Sequence, residues 1–334
     1  MLTCSMRLTL FVPGLLLPRE IVADTAFDLA ASALSLLLGR GHRQVVAADW
    51  LEGSFGIATL PAAALRKVGV GETALGEWLC LDPVHFDVRR EGILLADPAR
   101  LDLTAGEANE LIATIRPLFA EWGEISASAP GRWEMRLTRP LALETRPLAD
   151  AIAQPVPPSL PGGPHGREWR RLLGEAQTFL HAHPVNRHRE ASGRPTVSSL
   201  WPWGQGCLPG TASNPWAEIW CDDPVFAGLS ALTATRHRPL PPRFESLSGH
   251  TLAILPTVRA SASARNALGW RTAVQELERD WLAPAVVALR TGECEELRVV
   301  GSSVDDANRF IAFAAKRRTL QRFWRRPRPL SELV

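Results

Sequence analysis

The chain has 334 residues, 46% of them apolar and 22% charged, enough for one large or two ordinary domains and too apolar for a disordered polypeptide. A formal net charge of +2 excludes a global attraction to nucleic acid or to an anionic membrane. Cys4, Cys80, Cys207, Cys221 and Cys294 contain no Cys-x-x-Cys pair, which argues for a reducing compartment and against a structural zinc site. Lys67 and Lys316 are the only lysines, and twelve Trp stand beside no Tyr, a compositional bias rather than a functional signal.

Met6–Val12 is too short for a signal peptide, is interrupted by Pro13–Gly14 and lacks a small-residue cleavage site, so it reads as a buried first strand over Leu8–Val12. Thr25 to Leu38 reads as one Ala/Leu-rich helix stopped by Gly39 and Gly41. A short helical piece surrounds Pro61–Lys67. Trp78–Leu81 and Gly92–Ala96 read as strands, and Thr104 with Glu107 three residues later opens a helix to Phe119 through a capping box. Trp133–Leu137 alternates as a half-buried strand does. Gln154–Gly166, with five prolines and three glycines, is a loop or hinge, and Arg167–Ala182 is an amphipathic helix. Val197–Trp203 and Thr251–Leu255 are strands, Ala260–Leu289 one long helix, and Leu297–Val300 a further strand. No apolar run approaches the roughly 20 residues that span a bilayer, so a cytoplasmic protein with no membrane partner is expected.

The most informative stretch is His183–Pro184–Val185–Asn186–Arg187–His188–Arg189, followed by the turn Gly193–Arg194–Pro195 and by Ser199–Leu200–Trp201–Pro202–Trp203–Gly204–Gln205–Gly206. It reads as a helix end, a turn and a strand closing on a Gly-x-Gly loop. Leu81–Asp82–Pro83–Val84–His85, Leu94–Asp97, Thr104 with Glu107–Ala108, and Gly131–Arg132–Trp133 precede it in order. Together these runs resemble the archaeal-type cofactor-independent phosphoglycerate mutases. The tryptophans of the strand, its Trp-Gly-x-Gly ending and the closing run Arg322–Leu330 are similar to the RpfE-type regulatory proteins, which share that likeness.

The resemblance implies an α/β fold: an alkaline-phosphatase-like base domain with a central, mostly parallel sheet at 1–78 and 196–334, and an inserted α+β domain at 79–195. It also implies two divalent metals, such as Mn or Zn, held by Asp and His at strand ends, and a transiently phosphorylated serine. The residues depart from that pattern. Where the family's first strand ends in Asp-Gly, this chain has Pro13–Gly14; where a later strand runs into Gly-Asp-His, it has Gly301–Ser302–Ser303; and Thr251–Arg279 contains neither Asp nor His. Ser54 and Thr59 lie where the nucleophile is expected, with nothing to choose between them. The arginine-glycine ending of another strand is here Trp203–Gly204, which removes a phosphate-binding cation.

The first expectation is therefore a mutase-like scaffold without catalysis or cofactor, binding a small anionic ligand or a protein partner in a cleft between the domains. Its candidate ligand-binding residues are His183, Asn186, Arg189, Trp201, Trp203, Gly204 and Gly206. The alternative is an active phosphomutase or phosphatase with a rebuilt metal site, for which His181, His183, His188, Asp222, Asp223, His237 and His250 are available. Each feature also has a plain structural reading. His183 can cap a helix, Arg189 can pair with a carboxylate, Asp82–Pro83 can form a turn beside a hydrogen-bonded His85, and Trp201, Trp203, Trp216 and Trp220 can be core. A third reading takes the seven basic residues of 316–328 as a nucleic-acid or acidic-partner contact, but no reader motif accompanies them, and a solvated helix and tail docking on the protein itself is expected instead.

Overall fold

The computed structural model describes residues 6–90, 92–246 and 249–332; Cys4 lies outside them. The chain divides into two compact units, one of residues 1–59, 211–226 and 230–334, the other of 60–210 and 227–229. The boundaries fall outside the expected 79–195 because Ala62–Gly69 and the Trp-rich strand belong with the inserted sheet, on which that helix packs.

Strands are numbered in chain order. The first unit is built on a seven-stranded sheet of β1 (Arg7–Leu16), β2 (His42–Val46), β9 (Glu218–Trp220), β10 (Arg236–Arg238), β11 (His250–Ile254), β12 (Glu296–Ser303) and β13 (Phe310–Lys316). Their order is β10-β9-β11-β1-β12-β13-β2, the first five parallel and β13 antiparallel to both neighbours. This is the mixed α/β class with a large, mostly parallel sheet. Burial on both faces explains the unbroken apolar text of β1, β11 and β12. Leu8, Leu10, Val299 and Leu297 sit in one core with Leu34, Leu37, Trp270 and Leu289 of the flanking helices.

Two long helices expected here are broken. Arg19–Ala26 and Ser32–Arg40 replace the single helix over 25–38. The second starts where Glu278, 244 residues away, accepts hydrogen bonds from the Ala33 and Leu34 amides. A distant carboxylate thus caps a helix that has no capping side chain of its own. The span 260–289 is divided into Arg259–Ser263, Ala267–Leu277, a π-helical turn and Ala283–Thr291, with Asn266 capping the second piece.

The second unit holds a four-stranded antiparallel sheet of β3 (Glu77–Val84), β6 (Gly123–Ala129), β7 (Arg132–Leu137) and β8 (Ser199–Cys207), in the order β6-β7-β3-β8. A hairpin of β4 (Phe86–Arg89) and β5 (Gly92–Leu95) accompanies it. Helices Ala105–Phe119 and Gly166–Ala182 share a core with Leu79, Leu81, Trp133 and Met135. The helix Ala62–Gly69 packs against β3 and β8. Among the described residues, no helix is long and apolar enough to cross a membrane.

Candidate functional site

The run that starts at His183 lies wholly in the second unit. His183 ends one helix and begins the next, Pro184–Ala191, its Nδ1 accepting from the Val185 amide at 3.2 Å. Proline at the first helical position needs no amide partner, so the tight helix–helix junction costs little. Asn186 is 2% exposed and donates to Leu180 O and Val197 O at 2.7 and 2.9 Å, while its Oδ1 accepts from Val197 N at 2.9 Å. It ties the end of one helix to the entry of β8.

Arg189 is fully buried, with Nε donating to Pro195 O at 2.8 Å, one terminal nitrogen to Glu107 Oε2 at 3.0 Å and the other to Leu101 O. Glu107 also receives Arg194 at 3.0 Å and the Thr104 amide at 2.9 Å, so the capping box is one end of this clamp. Burial opposes the Glu107 carboxylate, but the Thr104 amide and then the Arg189 and Arg194 guanidiniums outweigh it and hold Glu107 below its usual 4.5. A depressed folded-state value contributes stability above the unfolded value and loses it as pH falls. Glu107→Gln is accordingly expected to flatten the loss of unfolding free energy below about pH 4.5; an unchanged acid limb would count against the clamp.

Trp201 is buried, donates Nε1 to Arg146 O at 2.9 Å and packs with Val84, Leu95, Ala151 and Val156. Trp203 packs on the same cluster, as alternation along a strand requires. Trp216 and Trp220 fall in the other unit, packed against Trp50 and Trp281. The Gly-x-Gly is not a loop, since β8 runs on through Gly204, Gln205 and Gly206 to Cys207. Gly204 has φ +62°, and a Cβ there would stand 2.7 Å from that of Ala62; at Gly206 a Cβ would stand 2.8 Å from that of Pro61. The two glycines let the helix Ala62–Gly69 approach the strand. Gly204→Ala is expected to cost about 1–3 kcal/mol through overpacking and left-handed backbone strain, read as a lowered denaturation midpoint. A neutral result would mean the helix can retreat.

Reading the sequence missed the most charged buried cluster, also in this unit. Asp82 lies within β3, not in a turn, and makes no pair with His85, whose Nδ1 faces Thr196 O at 2.8 Å. Its carboxylate accepts both terminal nitrogens of Arg66 at 2.8 and 3.0 Å, Trp133 N at 3.0 Å and Trp203 Nε1 at 2.8 Å. Arg66 also reaches Glu134 at 3.1 Å and lies 5.3 Å from the centre of the Trp203 ring. Ser128 donates to Glu134 through both its hydroxyl and its amide. Arg66 in an Ala/Leu-rich helix was the available signal. An open cleft of about 340 Å³ elsewhere on this unit is lined by Thr73, Leu75, Trp78, Glu124, Ile125, Ser126 and Arg136. None of the expected site residues faces it.

In the first unit, the carboxyl ends of β1, β11 and β12 form the edge where open α/β sheets place ligands. β1 ends in Pro13–Leu16, beside Ser302 and Ser303 of β12. A Cβ on Gly14, φ +81°, would stand 2.8 Å from the Cα of Arg259, and the Gly14 carbonyl accepts Trp270 Nε1 at 3.1 Å. Leu15, Val258, Ala262 and Trp270 are buried there. Nearby carboxylates serve the chain itself: Asp222 accepts from Leu240 N, Asp223 from Val225 N, Asp305 from Arg265 and Asp306 from Asn308 N. His237 Nε2 lies 2.8 Å from Cys221 O, and burial lowers the pKa of His250, which faces Pro215 O. Ser54 donates to Trp50 O one helical turn back.

No family model matches the chain. A 2,3-bisphosphoglycerate-independent phosphoglycerate mutase of Methanosarcina barkeri is 35% identical over 66 residues, and that of Methanosarcina mazei 33% over 66. The 2,3-bisphosphoglycerate-independent phosphoglycerate mutase 2 of Methanothermobacter thermautotrophicus is 28% identical over 153 residues, 43% of this chain and 37% of its own. Part of the chain is homologous to archaeal cofactor-independent phosphoglycerate mutases. The matched stretch is 20% of this chain and spans 17% of the length of the Methanosarcina relatives. Two solved structures match most of the chain at low similarity. The cofactor-independent phosphoglycerate mutase of Thermoplasma acidophilum has a TM-score of 0.46 at 16% identity, covering 93% of this chain and 90% of its own. A Pyrococcus horikoshii protein has a TM-score of 0.49 at 13% identity, covering 94% and 88%.

The residues present do not fit the two divalent metals that the mutase resemblance implies. Among the described residues, no three His, Cys, Asp or Glu side chains gather as metal ligands. At the strand ends the positions are filled by proline, glycine, serine and packed apolar side chains, donors and shapes that a hard or borderline cation does not select.

Proposed function

We propose that this chain is a phosphoglycerate-mutase-like scaffold that works as a binding and regulatory protein of RpfE type rather than by phosphoryl transfer. The observation carrying this reading is the edge formed by β1, β11 and β12. Two-metal phosphoryl transfer needs several anionic or imidazole ligands converging on one point to deprotonate the nucleophile and neutralise phosphate. Here the same edge holds Pro13, Gly14, Ser302 and Ser303 over Trp270 and Val258, while Asp222 and Asp223 after β9 accept from main-chain amides and Asp305 after β12 accepts from Arg265. In the second unit Arg189 and Arg66 are paired with Glu107, Asp82 and Glu134, a structural use of these cations that requires no chemistry.

The purified chain is assayed with phosphoglycerate and with a generic phosphate monoester, in buffer containing Mn and then Zn. The expected result is no turnover above buffer in either. Turnover that chelation abolishes and metal restores would overturn the proposal in favour of a rebuilt metalloenzyme.

A further inference from the structure

Net charge near zero hides one strong local excess: residues 316–328 carry seven basic side chains and no acidic one. The main chain of this segment is pinned. Arg40 donates to Arg325 O at 3.0 Å and to Leu320 O at 2.6 Å, and Arg328 N donates to Ser35 O at 3.0 Å. Gly39 lies so close to Arg326 O that a Cβ there would collide with it, and Leu330 is buried beyond. The backbone is thus anchored on the helix Ser32–Arg40 while its largest side chains face solvent. Phe323 is 81% and Trp324 67% exposed, the rings edge to face with centroids 5.2 Å apart. Lys316 and Arg328 have carboxylate partners, but the guanidiniums of Arg317, Arg318, Arg322, Arg325 and Arg326 have none among the described residues.

Two adjoining aromatic rings held in water are unfavourable unless something covers them. Five unpaired guanidiniums beside them require that something to be anionic as well as apolar. A membrane surface offers both within a few ångströms: lipid phosphates for arginine, and the headgroup boundary where amphipathic rings sit. Single-stranded nucleic acid is the poorer match, because successive bases stack on separate parallel ring faces and an edge-to-face pair spends one face on its neighbour. We propose that residues 316–328 are a peripheral docking site for an anionic phospholipid surface, Phe323 and Trp324 entering the headgroup boundary. Whole-chain charge and the lack of a spanning run predict no membrane partner, but neither registers a contact that lies on the bilayer instead of crossing it.

The test is co-sedimentation of the full chain with vesicles of phosphatidylcholine alone and with about 30% phosphatidylglycerol added. Binding is expected only to the anionic vesicles and should weaken with salt. At about five-fold per arginine, Arg325→Ala with Arg326→Ala should lower partitioning about 25-fold. Phe323→Ser with Trp324→Ser should lower it as well, with thermal unfolding unchanged because these side chains are exposed. No sedimentation with anionic vesicles, or equal binding by all variants, would overturn the proposal. So would binding of a labelled oligonucleotide, lost in the same variants, by a chain that ignores vesicles.

Discussion

Replacing Arg189 by leucine is expected to lower the stability of the unit containing it by about 3–5 kcal/mol, the cost of removing one partner from a buried ion pair. Leucine fills part of the volume but leaves Leu101 O and Pro195 O without the donor and Glu107 without its buried cation. Each orphaned buried acceptor costs about 1–3 kcal/mol by itself. Lysine should recover only part of the loss, since a single ammonium cannot serve three directions as a planar fork does. Because the chain has two units, the effect is best read by hydrogen exchange of the amides at 184–200, where local opening is reported directly. Loss of protection on that scale marks a structural clamp. A variant within about 1 kcal/mol of the parent would instead mark Arg189 as a cation held for something outside the protein.

Arg66→Met should be as damaging at neutral pH, about 3–5 kcal/mol, because it leaves Asp82 and Glu134 facing each other without a cation. The loss should also depend on pH. Burial pushes the Glu134 carboxyl above its ordinary 4.5, against the pull of Arg66 and Ser128. An acid whose folded-state value is raised binds its proton more tightly when folded, so its contribution to stability falls as pH rises through that value and recovers below it. Removing Arg66 removes the opposing pull and raises Glu134 further. The deficit of Arg66→Met should therefore be larger at about pH 7 than at about pH 5, and Glu134→Gln in the same background should reduce that difference. Denaturant unfolding at the two pH values decides it. An equal deficit at both would mean that Glu134 does not change protonation between the two pH values without Arg66.

What could be read in the sequence was what short-range chemistry specifies. The capping box at Thr104 and Glu107 starts the helix Ala105–Phe119 where expected, and the apolar runs of β1, β11 and β12 became buried parallel strands. β2 and β10 were not anticipated, because as edge strands they are written His42–Arg43–Gln44 and Arg236–His237–Arg238, with no apolar alternation to reveal them. β13 is different: Ile311, Phe313 and Ala315 do alternate inward and were there to be found. The break between Arg19–Ala26 and Ser32–Arg40 depends on Glu278, a tertiary cap that no local pattern encodes.

The candidate site shows the same division. The His-Pro-Val-Asn run stood out by its residues, yet the partners of Asn186 and Arg189 are mostly main-chain carbonyls, and those carry no sequence signature. Gly204 and Gly206 read as a loop with candidate ligand-binding glycines because a glycine needed for helix approach looks the same in text as one needed for a ligand. Asp82 reads as part of an Asp-Pro turn, yet it lies within β3, and its partner Arg66 lies on another element and meets it only after folding.

Metal content tests the central claim most directly. The chain is dialysed against Mn and then Zn, freed of loose ions by gel filtration, and its metal measured by plasma mass spectrometry. The edge of β1, β11 and β12 as packed here predicts far less than one ion per chain. About two ions per chain, as a two-metal phosphoryl-transfer site requires, would contradict it.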